Sequence, residues 1–255
     1  MQRSLLLVAF LSAVGIGSSA FAQQENSFKA LTTWGRWLYA YDAACRVATD
    51  TVMASHPDSS RLGVYVAVQV GAQWVVAFGR IDSAHFGMTY EVILDSTNHV
   101  TAFVSYSPPL VAPDVLSRAA RAFRTGTRAF GLPSHPFNPI ILPQANGTWT
   151  VYFVPAETSS DSVYIGGDLR YTISADGLSM IDTTRFHATL IVMPKPPANA
   201  ALPGLMHSHA LIAMPCETDV FYVLRQKPRV RQYVRAGNRA YAIEPDGEIR
   251  LVTAH

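Results

Sequence analysis

Cysteine is scarce in this chain and so is charge. Only two cysteines occur, Cys45 and Cys216, which excludes a disulfide-dense scaffold and a cysteine-rich metal module. Charged residues make up 15% of the chain and the formal net charge is +2. A balance so close to neutral gives no electrostatic reason to expect nucleic acid or anionic lipid as a partner. Beyond the N-terminal stretch no apolar run approaches the roughly 20 residues of a membrane span. Hydrophobic residues are plentiful at 49%, enough to fill one large core or two small ones.

The N-terminus carries its own signal. Met1-Gln2-Arg3 precedes an apolar run from Leu5 to Ile16, and Ser18-Ser19-Ala20-Phe21-Ala22 supplies small residues ahead of Gln23. This pattern predicts a signal peptide over residues 1–22, cleaved after Ala22, and a periplasmic or secreted mature chain with no membrane span. In an oxidising compartment Cys45 and Cys216 form a candidate disulfide, whose closure would contribute on the order of 4 to 5 kcal/mol in the chain-entropy model.

Leu31, Trp34, Leu38, Tyr41, Ala44, Cys45, Ala48 and Val52 recur at spacings of three and four, predicting a helix over 28–55. From Gly63 the pattern changes to β-branched and aromatic runs at 64–68, 74–78, 90–94 and 100–106, with turn chemistry such as Asp95-Ser96-Thr97-Asn98 between them. Pro108-Pro109 is expected to break this meander. A second helix over 113–130 follows, then strands at 138–142, 149–154, 169–174 and 186–192. Helix then meander thus occurs twice, and Gln73–Phe78 aligns with Thr148–Phe153, as a degenerate duplication or as chance likeness between amphipathic strands. The expected fold is α+β, antiparallel meanders packed with helices, divided as 23–132 and 133–255. Arg225, Lys227, Arg229, Arg231 and Arg235 read as a solvated face beside an edge strand.

The chemistry gathers near the C-terminus. His207 and His209 lie two apart, so on a strand both imidazoles project from one face and can share an ion. Asp219 follows ten residues later, inside a helix expected over 215–226. Two imidazoles, a carboxylate and a water are the ligand set of a catalytic zinc site. His187 reads first as a strand residue facing solvent and second as a further ligand or proton carrier. Cys216, at a helix N-terminus, is a second candidate nucleophile if its pKa is depressed there. Glu91, Glu157 and Glu217 read as surface carboxylates that are also alternative bases.

His207-x-His209 and Pro215-Cys216-Glu217-Thr218-Asp219 resemble the JAB/JAMM (MPN-type) metalloproteases, whose signature is His-x-His followed by a Ser-x-x-Asp step opening a helix. The resemblance covers residues from about 204 to 253. It implies a C-terminal strand, helix, strand and hairpin unit, zinc held by His207, His209 and Asp219, and cleavage of a peptide or isopeptide bond in a peptide or protein partner. Cys216 stands where that family has serine. The family's glutamate base has no counterpart, and Asp168, in Gly166-Gly167-Asp168, is the carboxylate nearest its place. The mature chain as a whole resembles secreted proteins of Gram-negative bacteria sharing its Gly-Gly-Asp, Ser-Ala-Asp-Gly and Thr-Asp-Val-Phe segments, which implies no activity. The competing expectation is a non-enzymatic envelope or secreted binding protein.

Overall fold

Apolar residues at helical spacing build the first element: α1 spans Val14–Ala54 in a computed structural model that describes residues 14–82, 85–195 and 204–252. Leu38, Tyr41, Ala44, Ala48 and Val52 form its buried stripe. Residues 1–13 of the predicted signal lie outside the described residues, and 14–22 continue α1. No helix among the described residues is long and apolar enough to cross a membrane.

Two four-stranded antiparallel sheets follow in chain order. The first consists of β1 (Val64–Val70), β2 (Gln73–Ile81), β3 (Phe86–Leu94) and β4 (Val100–Val111), each paired with the next. After α2 (Asp114–Phe130) come β5 (Phe137–Pro143), β6 (Trp149–Pro155), β7 (Ser162–Gly166), β8 (Leu169–Ile173) and β9 (Met180–Arg185). The second sheet is ordered β5-β6-β8-β9, while β7 leaves it and pairs antiparallel with β10 (Leu190–Pro194). Trp74, second in β2, and Trp149, first in β6, sit near the start of the second strand of their respective sheets, as the sequence alignment places them, and both are buried. Pro108-Pro109 does not end the meander: β4 runs through to Val111, and its pairing with β3 shifts register to accommodate the extra residues.

The last sheet holds the histidines. It is ordered β11 (Leu205–His209), β12 (Gln232–Ala236), β13 (Arg239–Ile243), β14 (Ile249–Val252), with β11 parallel to β12 and the other pairs antiparallel. Between β11 and β12 lies α3 (Glu217–Arg225), all nine residues of which are buried. Gly35 permits that burial: a Cβ there would lie 2.4 Å from Val220 Cβ and 2.7 Å from Glu217 O, so only glycine lets α1 lie this close to α3. The main cluster of buried side chains runs from Leu38 to Tyr222 and draws on all three helices.

The basic cluster is solvated at Lys227, Arg229, Arg231 and Arg235, all exposed, and departs from that expectation at Arg225. β12 is an interior strand, and Arg225 is buried, donating to the carbonyls of Pro155 and Tyr164 with its guanidinium over the Phe221 and Tyr222 rings. Arg229 lies over Tyr39, and Arg231 pairs with Glu244. The fold is α+β with predominantly antiparallel sheets, as the sequence predicts.

Candidate metal centre

Alternation along β11 buries His207 and His209 while Met206 and Ser208 stay exposed. Asp219 is the third residue of α3. Its Oδ2 accepts from the Cys216 backbone N–H at 2.8 Å, a capping box that leaves Oδ1 free to point elsewhere. The remaining groups arrive on a turn and its neighbour. Gly166 and Gly167, both at positive φ, swing the chain from β7 into β8 and place Asp168 immediately before it. A Cβ on Gly166 would lie 2.6 Å from Thr189 O and 3.0 Å from His187 Cβ, so this turn is built to receive the segment that follows β9. His187 sits on that segment.

Four atoms converge. His187 Nε2 lies 3.3 Å from His207 Nε2 and 3.0 Å from His209 Nε2, and the latter two are 3.1 Å apart. Asp219 Oδ1 is 3.1 Å from His187 Nε2, 3.1 Å from His207 Nε2 and 3.3 Å from His209 Nε2. All six edges of the figure therefore fall between 3.0 and 3.3 Å, which makes it a near-regular tetrahedron. Its centre is about 1.9 to 2.0 Å from each corner, the length of a bond from imidazole or carboxylate to a small divalent ion. Its residues are each less than a tenth exposed.

The outward-facing atoms fix which way the rings point. His209 Nδ1 is 3.0 Å from the Met214 carbonyl, which can only accept, so Nδ1 carries the proton and Nε2 presents a lone pair inward. His187 Nδ1 lies 2.5 Å from Asp168 Oδ1. Asp168 Oδ2 accepts from the Thr218 hydroxyl. His207 Nδ1 meets the Gln232 side-chain amide at 2.7 Å. Burial opposes charge on His187, yet its hydrogen bonds to Asp168 and Asp219 outweigh it and push its pKa up to about 10. Burial likewise opposes charge on Asp219, and the three histidines overcome it, holding the carboxyl well below the usual range. Lone pairs and a carboxylate facing one another at 3 Å repel unless a positive charge, a proton or a metal ion, lies among them.

The structure brings together His207, His209, Asp219 and Asp168, and with them His187, whose second reading in the sequence is a further ligand. The expectation that His187 faces solvent is corrected: it is 3% exposed, because the chain leaves β9 at Arg185 and turns inward before β10 begins. It occupies the fourth corner, where the sequence reading placed water. Asp168 adjoins the centre through His187, with both carboxylate oxygens engaged. Cys216 Sγ is near enough that His187, His209, Cys216 and Asp219 have ligand atoms within 4.8 Å of one another. The thiol instead lies 3.3 Å from Asp219 Oδ2 and 3.2 Å from Thr218 Oγ1, outside the tighter tetrahedron. Burial pushes the Cys216 thiol up, not down, which removes the basis for a thiolate nucleophile. Nor does it bridge to Cys45: both are buried free thiols.

The alternative bases go elsewhere. Glu217 is a buried residue, not a surface one, accepting from Tyr152 Oη at 2.9 Å and Arg170 Nη1 at 2.8 Å. Glu157 pairs with Arg225, and Glu91 accepts from the Tyr106 hydroxyl. Gln232 and Thr218 are the contributors that carry no sequence signal, since neither residue type marks a metal site. No family model, curated protein or solved structure matches the chain.

Proposed function

We propose that this chain is a metal-binding protein of the cell envelope or exterior whose centre holds one zinc ion through His187, His207 and His209 Nε2 and Asp219 Oδ1. The observation that carries this reading is the tetrahedron itself, six distances of 3.0 to 3.3 Å among three imidazole nitrogens and one carboxylate oxygen. Three imidazoles and a carboxylate in tetrahedral array suit zinc, whereas calcium and magnesium want oxygen shells and copper(II) a tetragonal one. The reading sets Gln232 with Oε1 toward His207, so that all three rings donate from Nδ1 and offer Nε2; amide oxygen and nitrogen are distinguished only by such bonding.

Four protein ligands leave no corner for water, which is the mark of a structural site. A degenerate relative of the JAB/JAMM hydrolases, retaining the His-x-His and aspartate while His187 fills the water position, accounts for both the motif and the closure. Bound zinc would tie together β11, α3 and the segments around Asp168 and His187, and the protein acts by binding a partner and not by hydrolysis. The deciding experiment is elemental mass spectrometry of the full chain purified without a histidine tag, beside H207A/H209A and H187A. One zinc per chain, lost in the double variant and weakened in H187A, supports the reading. Full zinc content in H187A would restore the three-ligand site with its water.

A further inference from the structure

A cleft of about 370 Å³ opens between α1 and the sheet β5-β6-β8-β9, away from the metal tetrahedron. Its floor is a two-by-two block of directly paired residues: Thr150 opposite Thr172, and Tyr152 opposite Arg170. The alternate residues Val151 and Phe153 turn the other way, against α2 at Gly126. A sheet face beneath a helix is ordinarily apolar, and this one carries the Thr150 and Thr172 hydroxyls beside Tyr152, which donates to Glu217, and Arg170, which donates to Glu217 and Thr184. Glu217 closes one end, buried, with both of its hydrogen bonds falling on Oε1. Trp34 forms the α1 wall. The Arg170–Glu217 pair at 2.8 Å cancels the net charge of the lining, and a partly buried ion pair is weak as a source of stability.

We infer that this cleft binds a short neutral carbohydrate. The volume is that of a small-ligand site. An indole supplies a flat apolar face for the C–H side of a sugar ring. The Thr150 and Thr172 hydroxyls and the second oxygen of Glu217 supply adjacent donors and acceptors for vicinal hydroxyl groups. An anionic ligand would meet the Glu217 carboxylate, and a purely apolar one would strip water from the hydroxyl block without replacing its hydrogen bonds. The inference does not rest on the metal reading, because no tetrahedron ligand lines the cleft.

The test is saturation-transfer NMR and calorimetry on the full chain with maltose, cellobiose and N,N′-diacetylchitobiose. At least one should bind, with affinity falling on the order of tenfold or more in W34A and in T172V, the loss expected for one stacking or hydrogen-bonding contact. T172V is close to isosteric, so it remains informative should W34A fail to fold, and zinc content should be unchanged in it. Binding by none of the three, or binding equally strong in T172V and W34A, overturns the inference.

Discussion

His187 Nδ1 lies 2.5 Å from Asp168 Oδ1, and the carboxylate expected to activate water thereby orients the His187 ring. Carboxylate, imidazole and metal in line is an arrangement that fixes the ring's tautomer and raises its basicity. Because the second oxygen of Asp168 accepts from Thr218, the carboxylate is itself held from α3.

D168N tests that role. The variant should still bind one zinc per chain, with affinity lower by about 10- to 100-fold, the usual cost of losing such a partner. Competition with a chromophoric chelator measures this. Unchanged affinity would mean that His187 needs no orienting partner.

The Gly166 turn separates backbone strain from steric exclusion. Gly71 also has positive φ, but a Cβ there meets nothing within 4 Å. G71A should therefore cost about 1 kcal/mol in chemical denaturation, the strain of the conformation alone. G166A adds the clash with Thr189 O and His187, and should cost more, roughly 2 to 4 kcal/mol, while weakening zinc binding. Equal losses in the two variants would show that the His187 segment yields without consequence.

Metal removal should loosen the centre as a unit. Chelation is expected to lower the melting temperature by on the order of 10 °C, because binding to the native state alone adds directly to stability. In a C45S background, chelation should also expose Cys216, which sits against Asp219, to a thiol reagent. Calorimetry and thiol counting with and without EDTA check both; a thiol equally inaccessible in each state would indicate a centre that stands without metal.

How much of this was legible before the structure follows from chain distance. His207, His209 and Asp219 lie within thirteen residues on a strand and the helix after it, so strand alternation pairs the histidines, and zinc-ligand chemistry with the JAB/JAMM resemblance adds Asp219. The helix–meander order and the strands carrying Trp74 and Trp149 were equally local. His187 is legible only as an alternative ligand and its burial is not, since its inward turn depends on the Gly166-Gly167 bend some twenty residues earlier, and periodicity carries no information across that gap. Charge suggests exposure for Glu217 and Arg225, yet both are buried because Tyr152, Arg170 and the carbonyls of Pro155 and Tyr164 satisfy them. The Cys45–Cys216 pairing was a statement about oxidising compartments, and the fold spends each thiol separately.

Asp42 offers a pH test away from the metal. It lines a cavity of about 360 Å³ with Cys45, Arg46 and Arg225. Burial lifts its carboxyl above the ordinary range, against the opposing pull of Arg225 and Arg46. A raised folded-state pKa means that the native state holds the proton more tightly than the unfolded chain does. The associated stability is full below the unfolded value of about 3.9 and is lost as pH rises through the folded value. At neutral pH the ionised carboxylate is thus a burden that asparagine, neutral and similar in shape, does not carry. D42N should melt a few degrees higher than the wild type at pH 7, and the two should converge near pH 3. Melting curves across that range decide it, and a wild type more stable at pH 7 would show that the arginines, and not burial, set the charge of this cavity.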